Sequence, residues 1–167
     1  AEEEVAREVG SSDIAYVQVE AVLAQCDLFL NEGAALQEKT QKAQKSWAQK
    51  EQNLQAEAAQ LQEKYQKGLI TTNDAQAQQQ SIEKRVASYQ SSAQKEAQAL
   101  DEENYVFTNR AQDLLHRAVQ EINGDKKYKL IINATALIDA DSTLNITPAV
   151  LAKVNELYAA DKKAVKK

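Results

Sequence analysis

Methionine is absent from this sequence, and cysteine, histidine, tryptophan and proline occur once each. A lone Cys26 can close no disulfide within the chain, so cysteine usage leaves the redox compartment open. One cysteine and one histidine, His116, make no zinc set. No glycine-rich phosphate loop occurs, neither Gly-x-Gly-x-x-Gly nor Gly-Lys-Ser/Thr. The acidic trio Asp101, Glu102 and Glu103 is consecutive, so its members point in different directions on a helix and read as a solvated face. No catalytic, cofactor-binding or metal-binding residue is assigned, and the sequence gives no support to an enzyme. No apolar run approaches the length of a membrane span.

Aromatic residues make up 5% of the chain, and much of the 43% hydrophobic fraction is alanine. Such a sequence has too few large apolar side chains for a sizeable globular core. Elongated or oligomeric structure is expected instead. The net charge is −5 and the pI about 5.0, which argues against a nucleic-acid partner. The first residue is Ala and no Met follows, which fits a signal peptide removed upstream.

What the chain has in abundance is Ala, Gln, Glu and Lys, all strong helix formers. Residues 1–13 read as an acidic tail. "IAYVQV" (14–19) reads as a strand. "EAVLAQCDLFLNEG" reads as a short helix with Val22, Leu23, Cys26, Phe29 and Leu30 on one side, broken or kinked near Asn31 and Gly33. Two long polar helices then cover residues 36–122. Their apolar positions recur every eleven residues: Leu36, Trp47, Ala58; Ala43, Leu54, Tyr65; and, after residue 80, Ile82, Ala93, Asn104, Leu115, with parallel rows from Val86 and Tyr89. Eleven residues over three turns is about 3.67 per turn, so the helices should pair nearly straight along a thin seam.

"YQKGLITTND" (65–74) is the one interruption. Gly68 suits a left-handed helix end. Thr71 can cap the following helix, with Asp74 three residues on. The interruption is therefore the turn of a helical hairpin, its tip at 68–73. The stretch from Leu36 to Lys67 reaches about 48 Å at roughly 1.5 Å per residue. After Gly124 and Asp125, "YKLIIN" (128–133) reads as a second strand and 136–139 as a third. Thr147 and Pro148 then open an amphipathic closing helix, and 160–167 form a basic tail.

Because the hairpin folds at mid-distance, the first and second strands can pair. Leu130, Ile131 and Ile132 are consecutive and apolar on both faces. One closing helix covers one face, so self-association through this end is expected. Ile14, Tyr16, Val17, Leu130, Ile131, Ile132, Leu137 and Ile138 are the candidate oligomerisation residues. The chain thus divides into a β-containing body (14–35 and 123–159) and a helical hairpin (36–122). Along the hairpin, Tyr65, Val86 and Tyr89 serve either the seam or a partner. Leu69 and Ile70, at the turn, have less to pack on and serve either partner contact or a simple helix staple.

The order of strand, short helix, long hairpin, strands and closing helix, with "IAYVQVEAVLAQ", "YKLIINATALI" and "NITPAVLAKVNELY", resembles the Skp (OmpH-like) family of periplasmic chaperones over residues 14–158. The resemblance implies a mainly α fold with a small β-body. It also implies a homotrimer, with a helical tentacle projecting from a trimeric barrel-like core in each subunit. The implied activity is ATP-independent holding of unfolded outer-membrane β-barrel proteins in the periplasm, with weak contact to a membrane surface. Residues 36–122 carry eleven basic against twelve acidic side chains, whereas the family's best-known members are strongly basic. No lipopolysaccharide site is carried over. A structural coiled-coil adaptor with one fixed partner is the alternative reading. A prefoldin-like arrangement is disfavoured, because its strands would lie between the helices.

Overall fold

The structure is a computed structural model and describes residues 13–166; the expected acidic tail, except for Asp13, lies outside them. The elements are β1 (Ile14–Val17), α1 (Val19–Gln25), a π-helical turn (Phe29–Gly33), α2 (Ala34–Gln66), α3 (Thr72–Ile122), β2 (Leu130–Asn133), two short 3-10 turns and α4 (Thr147–Val165). The described residues divide into two compact units, a sheet-bearing unit (residues 13–35 and 106–166) and a hairpin unit (residues 36–105).

In the sheet-bearing unit β1 and β2 pair in parallel, with Ile14 opposite Leu130 and Val17 opposite Asn133. The alternation of a strand puts Ala15 and Val17 on one face, where they are 0% and 2% exposed. On that side the core gathers Val22, Cys26 and Leu28, then Leu114 and Ala118 of α3, and Val150, Val154, Leu157 and Tyr158 of α4. Burying each of the larger aliphatics contributes about 1.5–3 kcal/mol. Cys26 belongs to this core, its Sγ lying 3.3 Å from the Leu23 carbonyl.

β1 stops at Val17, short of the expected Val19. The Gln18 N–H donates to Thr147 Oγ1 at 2.9 Å and α1 begins at Val19. Thr147 itself is not the cap of the closing helix. Asn145 Oδ1 accepts from the Thr147 N–H at 3.0 Å, and the helix begins at Thr147 with Pro148 in its first turn. The helix then runs to Val165, so residues 160–165 are helical rather than tail.

The expected third strand at 136–139 is replaced by a 3-10 turn, Ala134–Ala136. The Asn133 side chain accepts the Thr135 N–H at 3.2 Å and turns the chain out of the sheet. The free edge of β1 is met instead by residues 145 and 146, with Ile146 N donating to Tyr16 O at 3.1 Å. Gly124 follows the end of α3, but the left-handed residue there is Lys126, at φ 55°.

The short helix also ends early. Cys26 is extended and terminates α1. The π turn then rotates the face, so Leu28 is buried while Phe29 and Leu30 stay exposed. This corrects the expectation that Phe29 and Leu30 share the inner side with Val22. The turn is tight at Gly33, where a Cβ would lie 2.9 Å from Phe107 Cζ and 3.0 Å from Phe29 Cδ2. Phe29 and Phe107 pack there as a tilted pair with ring centroids 6.4 Å apart.

Two arginines fasten the sheet-bearing unit from outside. Arg110 donates to both Glu32 oxygens at 2.7 and 3.2 Å. Arg117 does the same to Asp161 at 2.9 and 3.1 Å. These charge-assisted bonds hold both carboxyls below the ordinary carboxylate range. A depressed pKa stabilises the fold above the unfolded-chain value, and that stability is lost as the pH falls through the folded value. The pairs are substantially exposed, so each is worth little.

Two outcomes are expected. Gly33→Ala should destabilise the unit by about 1–3 kcal/mol through overpacking, with part of the loss recovered by Phe107→Leu; chemical unfolding of the single and double variants measures both. Thermal stability should fall below about pH 4, and Arg117→Gln should make that fall shallower, as read by melting curves across an acid series.

Candidate functional site

Two surfaces carry the residues that sequence reasoning singled out, one in each unit. In the sheet-bearing unit the second face of the sheet is left uncovered by the described residues. Ile14 and Leu130, partners in register, are 43% and 50% exposed, and Tyr16 and Ile132 are half-buried beside them. Ile131 is opposite Ala15 and leans on the core, where Val17 is fully enclosed by its own chain. Val17 therefore has no free surface in the single chain, unlike the other candidate assembly residues. Leu137 is half-buried and Ile138 fully exposed on the segment after β2. A shallow apolar hollow of about 200 Å³ lies at the edge of the sheet, lined by Val19, Leu115, Val119, Ile131 and Ile132, with His116 at its margin. Phe29, Leu30 and Val106 add further exposed apolar surface in this unit. The exposure of Phe29 and Leu30 escaped the sequence reading because a helical period was assumed through Cys26.

In the hairpin unit α2 and α3 run antiparallel, and their register is written in three polar links. Lys39 reaches Glu103 at 2.6 Å. The indole N–H of Trp47 donates to Glu96 at 2.7 Å. Arg85 grips Glu57 through two nitrogens, at 3.1 and 2.5 Å. Each link joins positions nearly equidistant from the turn, as an unslipped hairpin requires. The bond from Arg85 lowers the Glu57 pKa and raises that of Arg85. In this unit only Ala43, Leu61, Ile82 and Leu100 are buried. Leu36, Trp47, Leu54 and Ala58 on α2, with Val86, Tyr89, Ala93 and Ala97 on α3, are half-buried. The expected seam is present but thin. Tyr65 and Asn104 fall out of their eleven-residue rows and are exposed.

The turn has the expected chemistry. Gly68 is left-handed at φ 69°. Gly68 N–H bonds to the Tyr65 carbonyl at 3.1 Å and Leu69 N–H to that of Lys64 at 2.9 Å, the paired bonds of a Schellman helix end. Thr71 Oγ1 accepts the Asp74 N–H at 3.1 Å and caps α3. The candidate contact residues separate into two groups. Leu69 is 69% exposed and Tyr65 49%, with Ile70 half-buried between them and the cap. Val86 and Tyr89 lie in the seam, and the Tyr89 hydroxyl donates to the Trp47 carbonyl at 3.0 Å. Among the described residues no group of three or more His, Cys, Asp or Glu side chains is placed to hold a metal, and no helix is long and apolar enough to cross a membrane.

A small parallel sheet joining the two ends of the sequence, with a long helical hairpin between its strands, defines a narrow class of protein. Residues 13–154 match the family described as outer membrane protein (OmpH-like), and the chain belongs to that family. Its fold is similar to the crystal structure of a candidate outer membrane chaperone (OmpH-like) from Caulobacter crescentus CB15, with a TM-score of 0.73, 16% identity, and coverage of 87% of this chain and 85% of that one. No curated protein matches the chain.

Trp47 is the sole tryptophan and is anchored to Glu96, so it reports on the seam. Glu96→Ala should shift its emission to longer wavelength while costing no more than about 1.5 kcal/mol. Fluorescence spectra and urea unfolding of the variant check the two parts.

Proposed function

We propose that this protein is an ATP-independent holding chaperone for unfolded outer-membrane proteins in the periplasm, acting as a homotrimer. The observation that carries the reading is the hairpin's surface. Over residues 36–105 its two helices expose amides, charges and scattered apolar residues, and bury only four side chains.

An outer-membrane strand alternates apolar and polar side chains, so no single deep pocket suits it. Three hairpins with many weak contacts hold such a chain by raising its effective concentration. Glutamine amides both donate and accept, and so match a client's bare backbone without demanding a sequence. With eleven basic and twelve acidic side chains in residues 36–122, charge gives little general attraction. Capture leans on apolar and amide contacts, and contact with a membrane surface is weak.

The trimer reading rests on the uncovered sheet face. Ile14 and Leu130 are half-exposed aliphatics on adjacent strands, and the hydrophobic effect favours closing that face against other copies. Tyr16, Ile132, Leu137 and Ile138 extend it. In this reading the client is held in a cavity between three hairpins, with Leu69, Ile70 and Tyr65 as its contact residues.

The purified protein should sediment as a trimer and suppress aggregation of an unfolded outer-membrane barrel at one trimer per client. A stable monomer overturns the assembly, and undiminished aggregation overturns the chaperone reading. Leu69→Ser with Ile70→Ser should leave the sedimentation unchanged and weaken client affinity about three- to tenfold, the scale of one or two lost apolar contacts.

A further inference from the structure

Near its turn the hairpin opens. The polar links between α2 and α3 end at Glu57–Arg85, and beyond them no hydrogen bond or ion pair joins the two helices among the described residues. Only Leu61 and Ile82 are buried there, at 6% and 7% exposure. A groove of about 980 Å³ lies along this stretch, larger than the hollows beside Trp47 and Lys64, about 370 and 220 Å³.

The sequence explains the opening. Tyr65 is one eleven-residue step past Leu54 and two past Ala43, so the seam's own period assigns it a partner. The facing helix lines the groove with Thr72, Ala75, Gln76, Gln79, Gln80 and Glu83, none a large apolar side chain. With nothing to pack on, Tyr65 stays half exposed and the helices leave a trough between them.

The lining has a definite chemistry. Ala58, Leu61, Tyr65 and Ala75 make an apolar floor. Gln62, Gln76 and Gln80 bring primary amides to its sides. The one charged residue is Glu83, whose carboxylate already accepts the Gln79 amide at 3.2 Å. No cation lines the groove, so an anionic ligand would face a carboxylate with nothing to offset it. The neutral, amide-edged trough suits an uncharged ligand that is apolar on one side and rich in N–H and C=O groups along its edges. An extended polypeptide has that form: alternate side chains point to one face, and the main-chain donors and acceptors lie at the edges. Its volume falls at the upper end of the range typical of ligand pockets.

We infer that each hairpin binds one extended, uncharged peptide segment of alternating apolar and polar residues in the groove between Tyr65 on α2 and Gln76 on α3. The site lies within a single chain and needs no neighbouring hairpin. The inference rests on the chaperone reading and adds to it a seat for individual strands of the client.

The test compares two double variants of the full chain, each on exposed positions. Ala59→Trp with Gln76→Trp fills the groove. Gln60→Trp with Gln78→Trp adds the same bulk to the opposite, polar side of the hairpin. The probe is a fluorescein-labelled ten-residue peptide alternating Val and Ser, with a block-ordered peptide of the same composition as control; binding is read by anisotropy. The groove-filling pair should weaken alternating-peptide binding about tenfold or more relative to the opposite-side pair, a loss of about 1.4 kcal/mol. A photo-crosslinking residue at position 76 should capture the probe, and one at position 78 should not. Equal affinity in the two pairs, no binding by the wild type, equal binding of the block peptide, or crosslinking only between copies of the chain overturns the inference. Helicity of both variants by circular dichroism confirms that the hairpin is intact. Barrel aggregation measured in parallel separates the two readings. If the wild type and both variants suppress it alike, the groove inference alone fails; if the wild type does not suppress it, the chaperone reading fails.

Discussion

The parallel pairing of Ile14–Val17 with Leu130–Asn133 is the constraint on which the rest depends. Parallel strands cannot be joined by a tight turn; the chain must leave one and return to the start of the other. In most folds a single crossover helix makes that return. Here two antiparallel helices and a five-residue link make it, so a very long excursion ends beside its origin. Closing so large a loop is entropically costly, though the cost grows only slowly with length. The hairpin lowers it further, because helix formation and the Schellman turn are local and need no distant partner. Once α2 and α3 are paired, the two strands are brought together by structure already formed.

The hairpin also shows what holds two helices together when apolar residues are scarce. Lys39–Glu103, Trp47–Glu96 and Glu57–Arg85 fix register more than they add stability, since exposed pairs contribute at most about 1 kcal/mol each. A slip by one turn would break all three at once and bring Leu61 and Ile82 out of contact. The buried aliphatics provide cohesion and the polar links provide specificity. Neither set is large, so the pair keeps its alignment while remaining only loosely closed.

Much of this was legible from residue types. Gly68, Thr71 and Asp74 announce a helix end and a helix start, and the structure has both at those residues. The eleven-residue rows located the seam from Leu36 to Leu100. The departures around the sheet share one cause: side chains of Asn and Thr that bond to nearby backbone. Asn133 diverts the chain after β2, where apolar composition alone suggested a third strand. Asn145 accepts the Thr147 N–H, and the Thr147 hydroxyl, instead of capping the closing helix, receives the Gln18 N–H where β1 ends. Composition also gives no warning that Cys26 breaks α1 and re-aims Phe29 and Leu30. Such local competition is settled by which backbone N–H lies free, and that depends on the fold around it.

The thinness of the seam and the proposed function have a common origin. An apolar side chain that fills the seam is withdrawn from any partner, and one left outside weakens the hairpin. Over most of its length this chain resolves the conflict toward cohesion, with Val86 and Tyr89 folded into the seam and Tyr89 bonded across it. Near the turn the balance reverses. Ala75, Gln76 and Gln79 leave Tyr65 without a counterpart, and Leu69 stands free. The reversal falls where the helices are already fixed at three points, so opening the last turns does not endanger register. A hairpin locked along most of its length and unfilled at its end keeps its register while leaving binding surface to a partner, which is what holding and releasing an unfolded chain requires.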